Sequence, residues 1–357
     1  MTVLSERPSE VLTHVVAADV ERVRRARRIP RRRHALVLGG LGALTFTLFC
    51  VHLLLGGYTF TAPDAVRIIL GDGIGRPTAE FIMMESKLPR ALTAVGVGAC
   101  FGIGGAVFQT TLRNPLASPD IIGVSTGAST AAVLALLTFG LRGDAVALAS
   151  ACGAVGTALL VRWVAGGLGG YRLVLVGVGV AAALVSVTQY LFTRAAVWDV
   201  QLALRWITGS LSDADWQKVQ VLALALVVLL PLVWWSSRDL RANELGEDAA
   251  VGLGVPRRRP DLLMLVAVLL VAAGVAGAGP VAFLAFLSAP IARGLNKGRT
   301  SIAGAALVGA CILLAADHVG ANYIGDVTMP AGIITGAVGA PFLLWLMARG
   351  ATGRSPR

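Results

Sequence analysis

Apolar runs recur along this chain, ten of them between Leu36 and Met347, separated by short polar, glycine or proline breaks. They read as Leu36–Leu55, Ala91–Phe108, Ile121–Phe139, Ala145–Val164, Leu173–Phe192, Val219–Trp235, Leu262–Ala278, Val281–Ile291, Ile302–Ala316 and Ala331–Met347. Most hold about 17–20 residues, and a helix rising about 1.5 Å per residue then crosses most of a hydrocarbon core about 30 Å thick. The eighth run is short and starts after Gly279 and Pro280. Only 14% of the residues are charged and 56% are hydrophobic, where a soluble domain carries about 25% charged residues. The expected fold class is therefore an all-α polytopic membrane protein with about ten transmembrane helices. The 43 glycines suit close helix packing in lipid.

The net charge of +11 does not point to nucleic acid. Its densest cluster, Arg22 to Arg33, directly precedes the first apolar run, where it reads as a topology signal with anionic lipid contact. Residues 1–34 are too long and polar for a signal peptide. They are expected to form a cytoplasmic basic tail, followed by a transmembrane domain over 35–348 and a cytoplasmic tail over 349–357. With the N-terminus inside, the inner loops hold Arg113, Arg162, Arg172, the Arg238–Arg259 group and Arg293, Lys297 and Arg299. The outer loops hold fewer cations, among them Lys87, Arg90, Arg142 and Lys218. That bias places both termini in the cytoplasm of a plasma-membrane protein with an even number of spans.

Catalytic patterns are missing. The chain contains no GxxxxGK[ST] phosphate loop, no HExxH, no CxxC and no GxSxG. It is not expected to hydrolyse ATP, to hold a metal or cofactor, or to act as an enzyme. Cys50, Cys100, Cys152 and Cys311 lie singly in apolar runs and His14, His34, His52 and His318 show no ligand spacing. Asp317 and His318 end the ninth run, as a helix-end polar pair or as a proton relay.

Two connections carry pattern. Between runs five and six, Val200, Leu204, Ile207 and Leu211 form a helical stripe on the outer side, either a surface cap or a gate. Between runs six and seven, Glu244, Glu247 and Asp248 precede an apolar Ala249–Leu253 segment, broken by Gly252 and Gly254 before Pro256. A short apolar helix in the cytoplasm needs a partner surface or folds back on the bundle.

A stretch from Lys87 to Ala128 is the most specific part of the chain. It reads Lys87-Leu88-Pro89-Arg90, a small-residue run with Gly105, Ala106 and Gln109, then Asn114-Pro115-Leu116-Ala117 with Pro119, then Gly123, Ser125, Gly127 and Ala128. It resembles the signature of the FecCD family, the iron-siderophore and cobalamin permease subunits of ABC importers. Further on, Leu245-Gly246 and Leu253-Gly254 are similar to the family's coupling segment, and Met329 to Pro341 to its C-terminal motif. There are departures. Ala289-Pro290 stand where the family has Pro-His, Lys87 replaces the first Arg, and Ala321 stands where many relatives have Arg.

The resemblance implies the type II importer permease fold, with a path formed between two permease subunits, identical or paralogous. It implies an ATPase coupling loop at Glu244, Leu245, Gly246, Gly252, Leu253 and Gly254, gripped by two ATP-binding subunits that use the ATP. It places Gln109, Asn114, Pro115 and Leu116 along the translocation path and cytoplasmic mouth. It points Lys87 and Arg90 at an extracytoplasmic siderophore-binding protein, the competing account being lipid-headgroup anchoring. Ferric siderophore is the leading substrate, with cobalamin and haem open. A secondary transporter without ATPase is the rival class. It would need ionisable residues inside the spans, and the middles of spans two, three, five, seven and ten have none.

Overall fold

The computed structural model describes residues 32–166, 171–244, 246–256, 258–324 and 328–352. Every regular element among them is helical. Eight helices are long and apolar enough to span a membrane, and two shorter apolar helices bring the set to the expected ten. In chain order the spans are α1 (Arg32–Leu54), the continuous Pro77–Thr111 helix that ends in α4 (Leu88–Thr111), α5 (Val124–Leu137), α6 (Asp144–Ala165), α7 (Tyr171–Arg194), α9 (Trp216–Trp235), α12 (Arg259–Ala278), α13 (Leu284–Leu295), α14 (Ile302–Asn322) and α15 (Ala331–Thr352). The short helices between them are α2 (Ala62–Leu70), α3 (Pro77–Phe81), α8 (Val197–Ile207), α10 (Ser237–Asn243) and α11 (Glu247–Gly252).

The helices run a few residues past both ends of the 35–348 segment, while the last candidate span, Ala331–Ala348, ends where that segment does. Helix α1 starts at Arg32, inside the expected N-terminal tail, and α15 runs on to Thr352. The rest of both tails lies outside the described residues. The second span is also longer than Ala91–Phe108. Pro89 cannot donate to the carbonyl of Glu85 and its ring would crowd that group. A π-helical turn over Ile82–Lys87 precedes the proline and carries the helix through.

Helix α4 is the centre of the bundle. It is buried along nearly its whole length and packs on α14, α12, α13 and α9. Glycine sets these distances. Gly98, Gly102 and Gly105 recur at i, i+4 and i+7 along one side. A Cβ at Gly102 would strike the carbonyl oxygen of Ala305, one at Gly98 the backbone of Gly309 and Ala310, and one at Gly105 the carbonyl oxygen of Ala285. Backbones meet directly there, as small residues allow in lipid. Helices α5 and α6 do the same through Gly127 and Gly153. By contrast α1, α7, α9 and α15 leave most of their apolar surface exposed.

Helix α8 forms where the stripe was expected, but turned by part of a revolution. Ala203 is buried and Val200 and Ile207 are half-buried, while Leu204 is exposed. Ala203, Trp206 and Ile207 pack with Ala132, Leu136 and Val146 of α5 and α6. Its C-terminal end is tied down: the Ser210 amide donates to Ala278 (2.8 Å) and the Gly332 amide to Gly209 (3.1 Å).

Candidate functional site

The two ends of the bundle differ in kind. At the end where α1 begins, the α4–α5, α9–α12 and α13–α14 connections gather. Arg33 donates to the Leu295 carbonyl (3.0 Å) and the Asn296 amide meets the His34 ring (3.2 Å). Helix α4 ends in a turn in which the Asn114 amide donates to the Gln109 carbonyl (3.1 Å) and the Asn114 side chain accepts from Leu116 (2.9 Å). Asn114 favours this turn because its side chain closes a ring with the backbone two residues on. Asn114 and Pro115 are exposed and Leu116 half-buried. Gln109, only 1% exposed, lies inside the bundle and donates to the Phe286 carbonyl of α13 (3.1 Å). Its amide links two spans. Asp120, past the turn, accepts from the Ser125 hydroxyl. Burial pushes its carboxyl above the usual range, and that hydrogen bond opposes the shift.

At the same end α10 and α11 stand as a helical knob between α9 and α12. Arg259, at the start of α12, pairs with Asp239 of α10 (2.8 Å) and lays its guanidinium 4.4 Å from the ring centre of Trp235, the last residue of α9. Asn243 is buried, and Glu244 accepts from the Thr300 hydroxyl in the α13–α14 connection. Ala250 and Val255 are buried, so the segment does fold back partly on itself. Yet Ala249 and Val251 are exposed, and Leu253 is 66% exposed. Gly246 (φ 112°) and Gly254 (φ 89°) bracket α11 in backbone conformations that side chains disfavour. An added Cβ at Gly246 would touch the Arg113 guanidinium. The expected mouth and the expected coupling segment are thus neighbours. Leu245 lies outside the described residues.

At the opposite end the two cations turn inward. Lys87 places its ammonium on the carbonyls of Leu53 (2.9 Å), Leu55 (2.8 Å) and Tyr58 (2.6 Å), and above the Phe60 ring. Three acceptors match its three donors. Arg90 makes a two-pronged bond to Asp317, Nε at 2.7 Å and Nη2 at 2.8 Å. His52 Nε2 lies 3.5 Å from the same carboxylate, and the rings of His52 and His318 are 5.7 Å apart. Asn322 of α14 caps the group by accepting from Gly57 (3.1 Å). The sequence marked Lys87, Arg90 and Asp317 separately. The Arg90–Asp317 contact, 227 positions apart, and the Arg259–Asp239–Trp235 anchor, closed over 20 positions, had no local signal. Among the described residues, no group of three or more His, Cys, Asp or Glu could hold a metal.

A bundle of apolar spans closed through glycine, with a buried charge cluster at one end and an exposed knob at the other, defines a multi-span membrane protein. The FecCD transport family model matches residues 44–349, and the chain belongs to that family. It is 36% identical over 296 residues to the ferric enterobactin transport system permease protein FepG of Escherichia coli K12, covering 82% of this chain and 89% of that protein. It is 35% identical to the Fe(3+)-citrate import system permease protein YfmE of Bacillus subtilis, covering 89% and 96%. The vitamin B12 import system permease protein BtuC of Yersinia enterocolitica is 36% identical, covering 76% and 83%. A solved structure described as an inward-facing metal-chelate type ABC transporter superposes with TM-score 0.77 at 25% identity, covering 88% of this chain and 99% of that one.

Proposed function

We propose that this chain is the membrane permease of an ABC importer that carries ferric siderophore into the cytoplasm, driven by separate ATP-binding subunits. The observation that carries this reading is the α10–α11 knob. It presents Val251 and Leu253 to solvent while Asp239 and Glu244 fix it to the bundle. An exposed apolar surface on a rigid mount suits a partner that pushes. Family membership supplies the partner's class, and the siderophore and citrate relatives suggest the cargo.

On this reading the knob end is cytoplasmic and so are both termini. A loaded binding protein docks at the other end, where Lys87 and Arg90 hold α1, α4 and α14 in a fixed frame. Two ATPase subunits grip the two knobs of a permease pair, and ATP binding shifts the bundle between two packings. Gly105, Gln109 and Asn114 lie along the lever that joins knob and centre. The chain offers a path and performs no reaction.

The test is uptake of radiolabelled ferric siderophore in cells lacking the chain, complemented with wild type, Glu244→Arg or Leu253→Arg. Loss on deletion is expected. Both variants should reach the membrane and restore at least about tenfold less uptake, the effect of removing one central interface contact. Undiminished uptake in the deletion strain would reject the siderophore assignment, and labelled cobalamin, the cargo named for the vitamin B12 relatives, would be tried next. Full activity of both variants would reject the knob as the coupling surface.

A further inference from the structure

A groove of about 790 Å³ runs along the outside of the bundle between α6 and α9, and α12 forms its floor. Helices α6 and α9 each pack on α12 but make little contact with one another. The floor is made of Leu269, Ala272 and Ala276 and the walls include Leu148, Gly156 and Val221. Leu148 and Val221 are exposed, so the groove opens sideways into the membrane. From Asp144 to Leu159 it follows α6 over 16 residues, a span of about 22 Å at about 1.5 Å of rise per residue. One leaflet of the hydrocarbon core is about 15 Å deep, so an acyl chain fits within that length.

One end of the groove is charged. Asp144, Gln217 and Lys218 line it there, at the starts of α6 and α9. Lys218 donates to the Asp213 carbonyl (2.6 Å), which leaves two of its three ammonium donors free. Asp144 has no ion-pair partner among the described residues. The rest of the lining is almost wholly apolar. A cation and an anion at the same end of a membrane-facing apolar groove complement a zwitterionic headgroup above hydrocarbon.

We propose that this groove is a binding site for a single phosphatidylethanolamine. Lys218 and Gln217 hold the phosphate, Asp144 accepts from the headgroup ammonium, and one acyl chain lies along α12. The site does not depend on the chain's cargo. A lipid here fills the space between two spans that flank α12, whose first residue anchors the knob.

The experiment is native mass spectrometry of the purified full chain, released from detergent after equilibration with phosphatidylethanolamine or phosphatidylglycerol. The wild type is expected to retain one phosphatidylethanolamine, and phosphatidylglycerol about tenfold more weakly, since Asp144 repels a headgroup with no compensating cation. Lys218→Glu should weaken retention about tenfold by charge. Gly156→Trp should do so by filling the groove, and it tests shape independently because a Cβ there meets nothing within 4 Å and lets the ring enter the groove. Monodisperse elution identifies variants that fold. Equal retention of the two lipids, or unchanged retention in both folded variants, would overturn the proposal. So would a groove occupied by a second copy, seen as crosslinking between copies through the exposed Cys152.

Discussion

At the scale of single residues, the Arg90–Asp317 pair is the most consequential feature that the sequence did not announce. Asp317 is 1% exposed and Arg90 18% on their side chains. A pair this enclosed is weak evidence for stability, but halving it is costly, because the remaining charge stays out of water. Asp317→Ala is therefore expected to destabilise the chain by up to about 3–5 kcal/mol, and Arg90→Leu by a comparable amount. The double substitution should recover much of the loss. Thermal unfolding of the purified variants in one detergent closes this cycle. Additive losses in the double variant would show that the two side chains act independently. The same residues explain what could be read beforehand. With the N-terminus read as inside, cations at the other ends of the spans break the positive-inside trend, and that anomaly was visible at Lys87 and Arg90. Their partners were not visible: Asp317 is 227 positions away, and the acceptors for Lys87 are backbone carbonyls, which every residue owns. The ammonium also suits the departure from arginine at position 87. Three carbonyls converging from one turn are met by three single donors, whereas a planar fork needs a two-oxygen acceptor.

At the scale of elements, all ten apolar helices were legible, eight of them because lipid demands long apolar runs, and the runs are interrupted by glycine, proline and charge where the helices end. Boundaries were less legible. Pro89 looks like a helix start, yet the helix passes through it after a π-helical turn. The face of α8 was misjudged by one position, Ala203 taking the buried place assigned to Leu204. A small side chain is what the close approach to α5 admits, and hydrophobicity alone cannot reveal that. Glycine content announced tight packing without saying where. The structure sorts the glycines by what a Cβ would meet, and the sorting is testable. Gly105→Ala drives a methyl into the Ala285 carbonyl, and α4 and α13 must part. It is expected to cost about 1–3 kcal/mol or more, with loss of monodisperse protein at raised temperature. Gly40→Ala on α1 adds a methyl where nothing lies within 4 Å, so it should be neutral or slightly stabilising, alanine being the better helix former. Equal behaviour of the two variants would mean that α4 does not sit against α13 as described.

At the scale of the whole molecule, the question is how a push at one end reaches the other. The knob reaches the bundle through groups at or just beyond the ends of several helices. Asp239 reaches α12 through Arg259, which also stacks on the last ring of α9. Glu244 reaches the α13–α14 connection through Thr300. Arg113 beside Gly246 brings in the end of α4. From α4 and α14 the contact is backbone on backbone through Gly98, Gly102 and Gly309, and Arg90–Asp317 ties the same two helices at the far end. A stiff bar fixed at both ends moves as a unit, which suits rigid-body alternation better than local bending. On the importer reading, Arg259 is then a transmission residue. Arg259→Lys keeps the charge but loses the planar stack on Trp235 and the fixed direction of its donors. In a complex reassembled with its ATPase subunits in vesicles, ATP hydrolysis should continue, because the exposed surface of Val251 and Leu253 is unchanged. Transport per ATP should fall, since the knob can then tilt without carrying α9 and α12. Leu253→Arg should instead lower both together by weakening the grip. If Arg259→Lys transports at the wild-type ratio, force enters through Glu244 and the α13–α14 connection, and Thr300→Val becomes the variant that uncouples.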